Sequence, residues 1–134
     1  MVQVDKLYQE FEKDALAKLL GIRIIDIQPG YARTYLEVNS NLVNALGMTH
    51  GSTVFALVDM ALAAASNSRD KVAVAQNVSI HFMKATHPGD QLYATATEEN
   101  LTNRTGIYRI VVENEAGEKI AVATGTAYRT DSSH

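Results

Sequence analysis

Residues 44–68 read NALGMTHGSTVFALVDMALAAASNS and constrain this chain more than any other stretch. The stretch starts as a glycine-containing loop and becomes an apolar run of helical length, roughly seventeen residues. Between positions 54 and 65 one ionisable side chain, Asp59, interrupts it. A helix apolar on nearly all sides has to be covered on nearly all sides, so the rest of the chain must wrap it. A lone carboxylate in such a helix costs free energy unless it is paired or has work to do. Just ahead of the run stand His50, Gly51, Ser52 and Thr53. Unpaired backbone N–H groups and the positive end of the helix dipole gather at such a start. An acid and a donor-rich helix start together suggest a catalytic site.

The remaining segments supply a covering layer. Residues 3–20 place Val4, Leu7, Tyr8, Phe11, Ala15 and Leu19 at helical spacing among charges, which predicts one amphipathic surface helix stopped by Gly21. Residues 22–27 and 31–38 are β-rich and flank Gln28-Pro29-Gly30, a hairpin signal. Residues 39–50 read as a loop. After Arg69-Asp70-Lys71, strands are predicted at 72–83, 91–101, 106–114 and 119–130, with turns at 86–90 and 115–118. The polar residues 131–134 read as a frayed tail. In the last strand Ala121, Ala123, Gly125 and Ala127 share one face, a row of small side chains that lets a helix come close. The expected fold is α+β: one domain over 1–134, with a curved antiparallel sheet around a central helix and a surface helix at the N-terminus. One sheet of this size covers the central helix only in part, so a partner molecule is expected to cover the rest.

Composition excludes several function classes. A net charge of −3 and a pI near 5.7 argue against a general nucleic-acid binder. With no cysteine there is no disulfide, thiolate nucleophile or cysteine metal site. The four histidines are scattered, so no metal site is expected. The N-terminus lacks the pattern of a signal peptide, and the apolar run is too short to span a bilayer, so a cytoplasmic protein without a membrane partner is expected.

Asn44, then His50-Gly51, then Asp59, then Asn67-Ser68, resembles the hotdog-fold acyl-CoA thioesterases, in particular their phenylacetyl-CoA-thioesterase-like (PaaI-like) branch. Ile80-His81-Phe82, Gly89-Asp90, Gly125 and Arg129 fall where that family has strand and turn landmarks, so the likeness spans roughly residues 20–129. Ser52 departs from the second glycine of many relatives. Ala63 and Ala75 stand where some relatives carry an auxiliary hydroxyl. The resemblance implies a homodimer, with a homotetramer beyond it, that hydrolyses an aryl- or medium-chain acyl-CoA. Coenzyme A would be part of the substrate and no separate cofactor is needed.

Thioester hydrolysis needs a nucleophile or an activated water, and donors aimed at the oxygen that becomes negative. Asp59 suits the first task and the Gly51 N–H the second. Eight residues of helix rise about 12 Å, too far for both to serve one carbonyl carbon. Two antiparallel helices from two subunits would bring one chain's Gly51 near the other's Asp59. His50 and Asn44 would hold the loop or contact the thioester. An apolar pocket is expected from Leu46, Met48, Val54, Phe55 and Met60, with Ser68 nearby. Arg69, Lys71, Lys84, Arg104 and Arg109 are candidates for the coenzyme A phosphates.

Simpler readings stand beside these. Asp59 could be a structural acid, His50 a loop histidine bonded to backbone, Asn44 a turn residue, and Gly51 a residue needed only for positive φ. A hydratase or dehydratase on the same fold pairs its acid with a nearby histidine, and none follows Asp59 on the helix. A non-catalytic acyl-CoA-binding protein or sensor is the alternative from another class; a sensor would be expected to carry an output module.

Overall fold

A computed structural model of the chain describes residues 4–134, so the expected start of the first helix at residue 3 lies outside the described residues. The central helix, α3, covers Gly51–Ser66. Alanine, leucine and methionine fill it with strong helix formers. It does not begin on a serine or threonine cap. His50, in extended conformation, accepts the Ser52 N–H on its ring nitrogen Nδ1. At the other end the Asn67 amide donates to Ala63 O at 2.9 Å and to Ala73 O at 3.0 Å and accepts from Ala73 N, fastening the helix end to the next strand.

Six strands form one antiparallel sheet: β1 Arg23–Gln28, β2 Tyr31–Glu37, β3 Lys71–Phe82, β4 Gln91–Leu101, β5 Thr105–Asn114 and β6 Lys119–Ser133. Their order is β1-β2-β4-β5-β6-β3. The hairpin at Pro29-Gly30 turns as expected, with Gly30 at φ 72 where a side chain would be strained. The four strands after the helix do not lie side by side in chain order. β3 crosses to the far edge and pairs with β6, and β4 pairs with β2. The tail is not frayed either: β6 runs on to Ser133, opposite Lys71, and His134 N donates to Asp70 O at 3.0 Å.

The sheet curls around α3. Leu57, Val58, Ala61, Leu62, Ala64 and Ala65 of the helix are fully buried against Ala32, Leu36, Leu92, Ala94, Ala96, Ile110 and Val112. Each such buried leucine or valine contributes about 1.5–3 kcal/mol. Thr34 Oγ1 also donates to Leu57 O at 3.0 Å, a buried bond that ties β2 to the helix. The small-residue face of β6 does what its pattern predicts. A Cβ on Gly125 would lie 2.8 Å from Leu62 Cδ2, so helix and sheet touch through the glycine.

The N-terminal segment departs from expectation. It is two helices, α1 Val4–Glu12 and α2 Ala15–Leu20, because the Asp14 side chain accepts the Ala17 N–H at 2.9 Å and starts a new helix. The apolar stripe therefore changes phase. Leu7 and Ala17 are buried while Leu19 stays 79% exposed. Among the described residues no helix is long and apolar enough to cross a membrane.

Gly125→Val should force Leu62 and Ile110 to move and lower stability by about 1–3 kcal/mol, the usual cost of overpacking a filled core. Urea denaturation read by circular dichroism measures it as a lower midpoint at unchanged slope.

Candidate active site

One stripe of α3 escapes the sheet. Ser52 and Phe55 are exposed and Asp59 and Ala63 half-buried, all in line along the helix axis. Gly51 opens this stripe at the helix start. The Cβ of any replacement there would meet the Phe82 ring at 3.4 Å, and its φ is not positive, so the glycine is not there to relieve backbone strain. Its N–H, the first of the helix, has no acceptor among the described residues. Asp59, two turns on, receives no hydrogen bond from the described residues. Burial first, and the negative charge of Asp14 second, push its carboxyl above the usual carboxylate range. A structural acid would be expected to be paired; this one is half-buried with no hydrogen-bond or ion-pair partner among the described residues.

Two hollows flank the stripe. The first, about 320 Å3, lies at the helix start, lined by Asn44, Met48, Thr49, Gly51, Val54, Phe82 and Lys84 among others. Its loop is shaped by Asn44, whose Oδ1 accepts from Leu46 N at 2.9 Å and from Met48 N at 3.2 Å. That is the turn role in full, and the Asn44 amide N–H groups make no hydrogen bond among the described residues. The second, about 510 Å3, lies between α1, α2 and β1 and reaches α3 at Met60, lined by Tyr8, Phe11, Ile22, Ile24, Ile25 and Met60, with Lys18 and Arg23 also in its lining. The expected single acyl pocket is thus divided. Met48 and Val54 belong to the first hollow and Met60 to the second. Phe55 sits on the open stripe, 37% exposed, and Leu46 is 80% exposed at a loop tip, away from both. The sequence does not mark the N-terminal helices as lining a hollow. The apolar face of Tyr8 and Phe11 was the available signal, and it reads equally well as ordinary packing.

The basic candidates separate too. Lys84, paired with Glu118, lines the hollow beside Gly51. Lys71, bonded to Asn103 Oδ1 at 2.6 Å, and Arg104, paired with Asp131, lie at the opposite end of the helix, where β3 begins. Arg109 is on the outer face of the sheet, sharing a groove with Ser79, His81 and Glu99. Ser68 and Arg69, expected near substrate, form a latch instead. Ser68 Oγ is buried, accepts from Gly30 N at 2.8 Å and donates to Ala65 O at 2.6 Å. Arg69 Nη2 grips Glu98 Oε2 at 2.8 Å. Glu98 also accepts from the Tyr108 hydroxyl, which burial, with the Glu98 charge second, pushes up to about 12. The latch joins the end of α3 to the β1–β2 turn and to β4.

Because Asp14 raises the Asp59 pKa through its charge, Asp14→Asn should move the acid limb of the pH–activity profile toward lower pH, while asparagine keeps the α2 cap. The stability sign follows from linkage. A carboxyl whose folded pKa is raised favours folding below its unfolded pKa, and that contribution is lost as pH rises through the folded value. Asp59→Asn should therefore leave stability at neutral pH unchanged or higher, as read by thermal unfolding.

Comparison with known proteins shows the family. The family model of the thioesterase superfamily matches residues 46–121, which include the helix start and Asp59. The acyl-coenzyme A thioesterase PaaI of Escherichia coli is 36% identical over 119 residues, 89% of this chain and 85% of its own. The solved E. coli PaaI structure superposes with a TM-score of 0.91 at 33% identity, over 98% of this chain and 99% of that one. A protein of Archaeoglobus fulgidus is 43% identical over 98% of this chain and 84% of its own length. A Streptococcus mutans protein solved bound to acetyl CoA matches at 26% identity and a TM-score of 0.78, over 81% of this chain and 88% of that one. The chain belongs to the thioesterase superfamily and, within it, to the hotdog-fold acyl-CoA thioesterases of the PaaI type.

Proposed function

We propose that this thioesterase hydrolyses an aryl- or medium-chain acyl-CoA in the cytoplasm, at a site that two subunits build together. The observation that carries the reading is the pairing of an unpaired, half-buried Asp59 with an unclaimed Gly51 N–H on one rigid helix, about 12 Å apart. A second copy, turned so that its helix runs antiparallel, places each Gly51 opposite the other chain's Asp59. The surface for this is open. β3 is an edge strand, Val74 and Phe82 on it are 53% and 55% exposed, and the Phe82 ring lies beside Gly51 at the start of the stripe. A two-fold axis would pair β3 with its copy and cover both stripes at once. The homodimer is then the catalytic unit, and the homotetramer is a pair of such dimers.

In this arrangement the thioester carbonyl oxygen receives the Gly51 N–H of one chain, where the helix dipole favours the negative charge that develops. The partner's ionised Asp59 either attacks the carbonyl carbon, giving an anhydride that water then cleaves, or takes a proton from the attacking water. Either route breaks the carbon–sulfur bond and releases the coenzyme A thiolate and the free acid. No separate cofactor takes part. The hollow beside Met60, apolar and about 510 Å3, takes the acyl group; its size and the Tyr8 and Phe11 rings suit an aryl or medium-length chain. The Lys84 side of the other hollow is the way out for the coenzyme A arm. The acetyl CoA held by the S. mutans relative supports a coenzyme A ester as ligand.

The test is thiol release from a panel of aryl- and straight-chain acyl-CoAs. Asp59→Asn should abolish nearly all turnover while sedimentation still shows the wild-type assembly. Gly51→Pro should lower turnover by about 10²–10³-fold, the cost of one oxyanion donor. Proline fits the first helical position, and His50 is already extended at ψ 137, so the backbone accepts it. Wild-type turnover in Asp59→Asn would overturn the assignment.

A further inference from the structure

The hydrogen bonds at the helix start fix the chemistry of His50. Its Nδ1 faces two groups of Ser52: the backbone N–H at 3.2 Å and the hydroxyl Oγ at 2.8 Å. A backbone N–H can only donate, so Nδ1 is the lone-pair nitrogen of the ring, and the ring proton sits on Nε2. The hydroxyl, facing the same lone pair, must then donate as well, and its contact is the shorter of the two. Ser52 is the second residue of α3, on the open stripe and next to Gly51, and its hydroxyl makes no other hydrogen bond among the described residues. Its position does not require a hydroxyl for folding: the side chain is exposed, and the cap bond to the helix is made by its backbone.

We infer that Ser52 is a positioning residue, whose hydroxyl holds the His50 ring in the Nε2–H tautomer so that this N–H is presented as a donor beside Gly51. The chemical logic is that of an orienting partner on one ring nitrogen selecting what the other can do. With both Ser52 donors on Nδ1, the ring can neither flip nor exchange tautomer without breaking them. Its Nε2–H then stays a donor on an exposed ring next in the chain to Gly51, which lines the hollow at the helix start. Without the hydroxyl only the longer backbone contact remains, the ring can rotate, and the Nδ1–H form becomes populated. The kinetic consequence rests on the proposed hydrolysis at this site; the tautomer does not and is read without substrate.

The experiment has two arms on the whole protein. In the first, long-range nitrogen–proton NMR correlations of the histidine rings are recorded for wild type, Ser52→Ala and Ser52→Thr. His50 should be the pure Nε2–H tautomer in wild type and in Ser52→Thr, which keeps the hydroxyl, and a mixture in Ser52→Ala. A wild-type ring already mixed, or one unchanged by Ser52→Ala, overturns the inference whatever the enzyme hydrolyses. In the second arm, Ser52→Ala should lower kcat about threefold to tenfold, the worth of one hydrogen bond, with KM little changed, and Ser52→Thr should recover most of the loss. In a His50→Ala background the Ser52→Ala effect should vanish, because Ser52 acts only through the ring. The same fold-loss persisting without His50 would show that Ser52 acts by itself and would contradict the positioning role. A wild-type protein that hydrolyses no thioester, with the tautomer pattern intact, would count against the proposed function alone.

Discussion

The distance between Gly51 and Asp59 is set by the helix that carries them, and the arrangement of the proposed site depends on it. An α-helix is a rod with a fixed rise of about 1.5 Å per residue, so the donor at its start and the acid two turns later cannot be drawn together by side-chain motion. The fold makes the rod more rigid still. Leu62 is pressed onto Gly125, Thr34 bonds the helix backbone at Leu57, and Asn67 and Ser68 fasten its end to β3 and to the β1–β2 turn. What the sheet does not cover is the line from Ser52 through Phe55 and Asp59 to Ala63, where the chemistry-bearing groups stand. A carboxyl left unpaired there, its pKa raised by burial and by Asp14, works against folding at neutral pH. That is the pattern expected where a residue serves function more than stability.

Much of this was legible in the sequence, for reasons that differ between elements. The central helix declared itself because apolar length without breakers has few other outcomes, and the hairpin at Pro29-Gly30 because turn chemistry is local. The alanine–glycine face of β6 was informative because close approach of a helix demands small residues, and Gly125 meets that demand. The position of β3 was not readable. Its pairing with β6 is a long-range choice, and the alternation of Val78 and Ile80 satisfies either edge of the sheet equally. The single N-terminal helix failed at Asp14, whose side chain competes for the backbone and resets the apolar phase over one residue.

The site residues show the same division. Asp59 and Gly51, on which the proposed site rests, stand out by type and position, because few structural needs call for an acid in an apolar helix. Ser68 and Arg69 lay close by in sequence and went to a different task, the latch on Gly30 and Glu98, since proximity along the chain says little about direction at a helix end. Lys84 is far along the chain and yet beside Gly51, brought there as β3 ends. The hollow beside Met60 needs four elements that meet only in the folded molecule, so no local pattern could mark it.

The shared site is the central claim, and subunit mixing tests it most directly. Asp59→Asn and Gly51→Pro chains, each nearly inactive alone, are unfolded together, refolded at equal concentration and assayed for thiol release. Mixed dimers hold one intact site, with Gly51 from the first chain and Asp59 from the second, and one site lacking both. Random pairing makes half of the dimers mixed, so the mixture should recover about a quarter of wild-type turnover per chain. A mixture that stays at the level of its parents, while differential tags show that mixed dimers have formed, would mean that each site lies within one chain and would contradict the account.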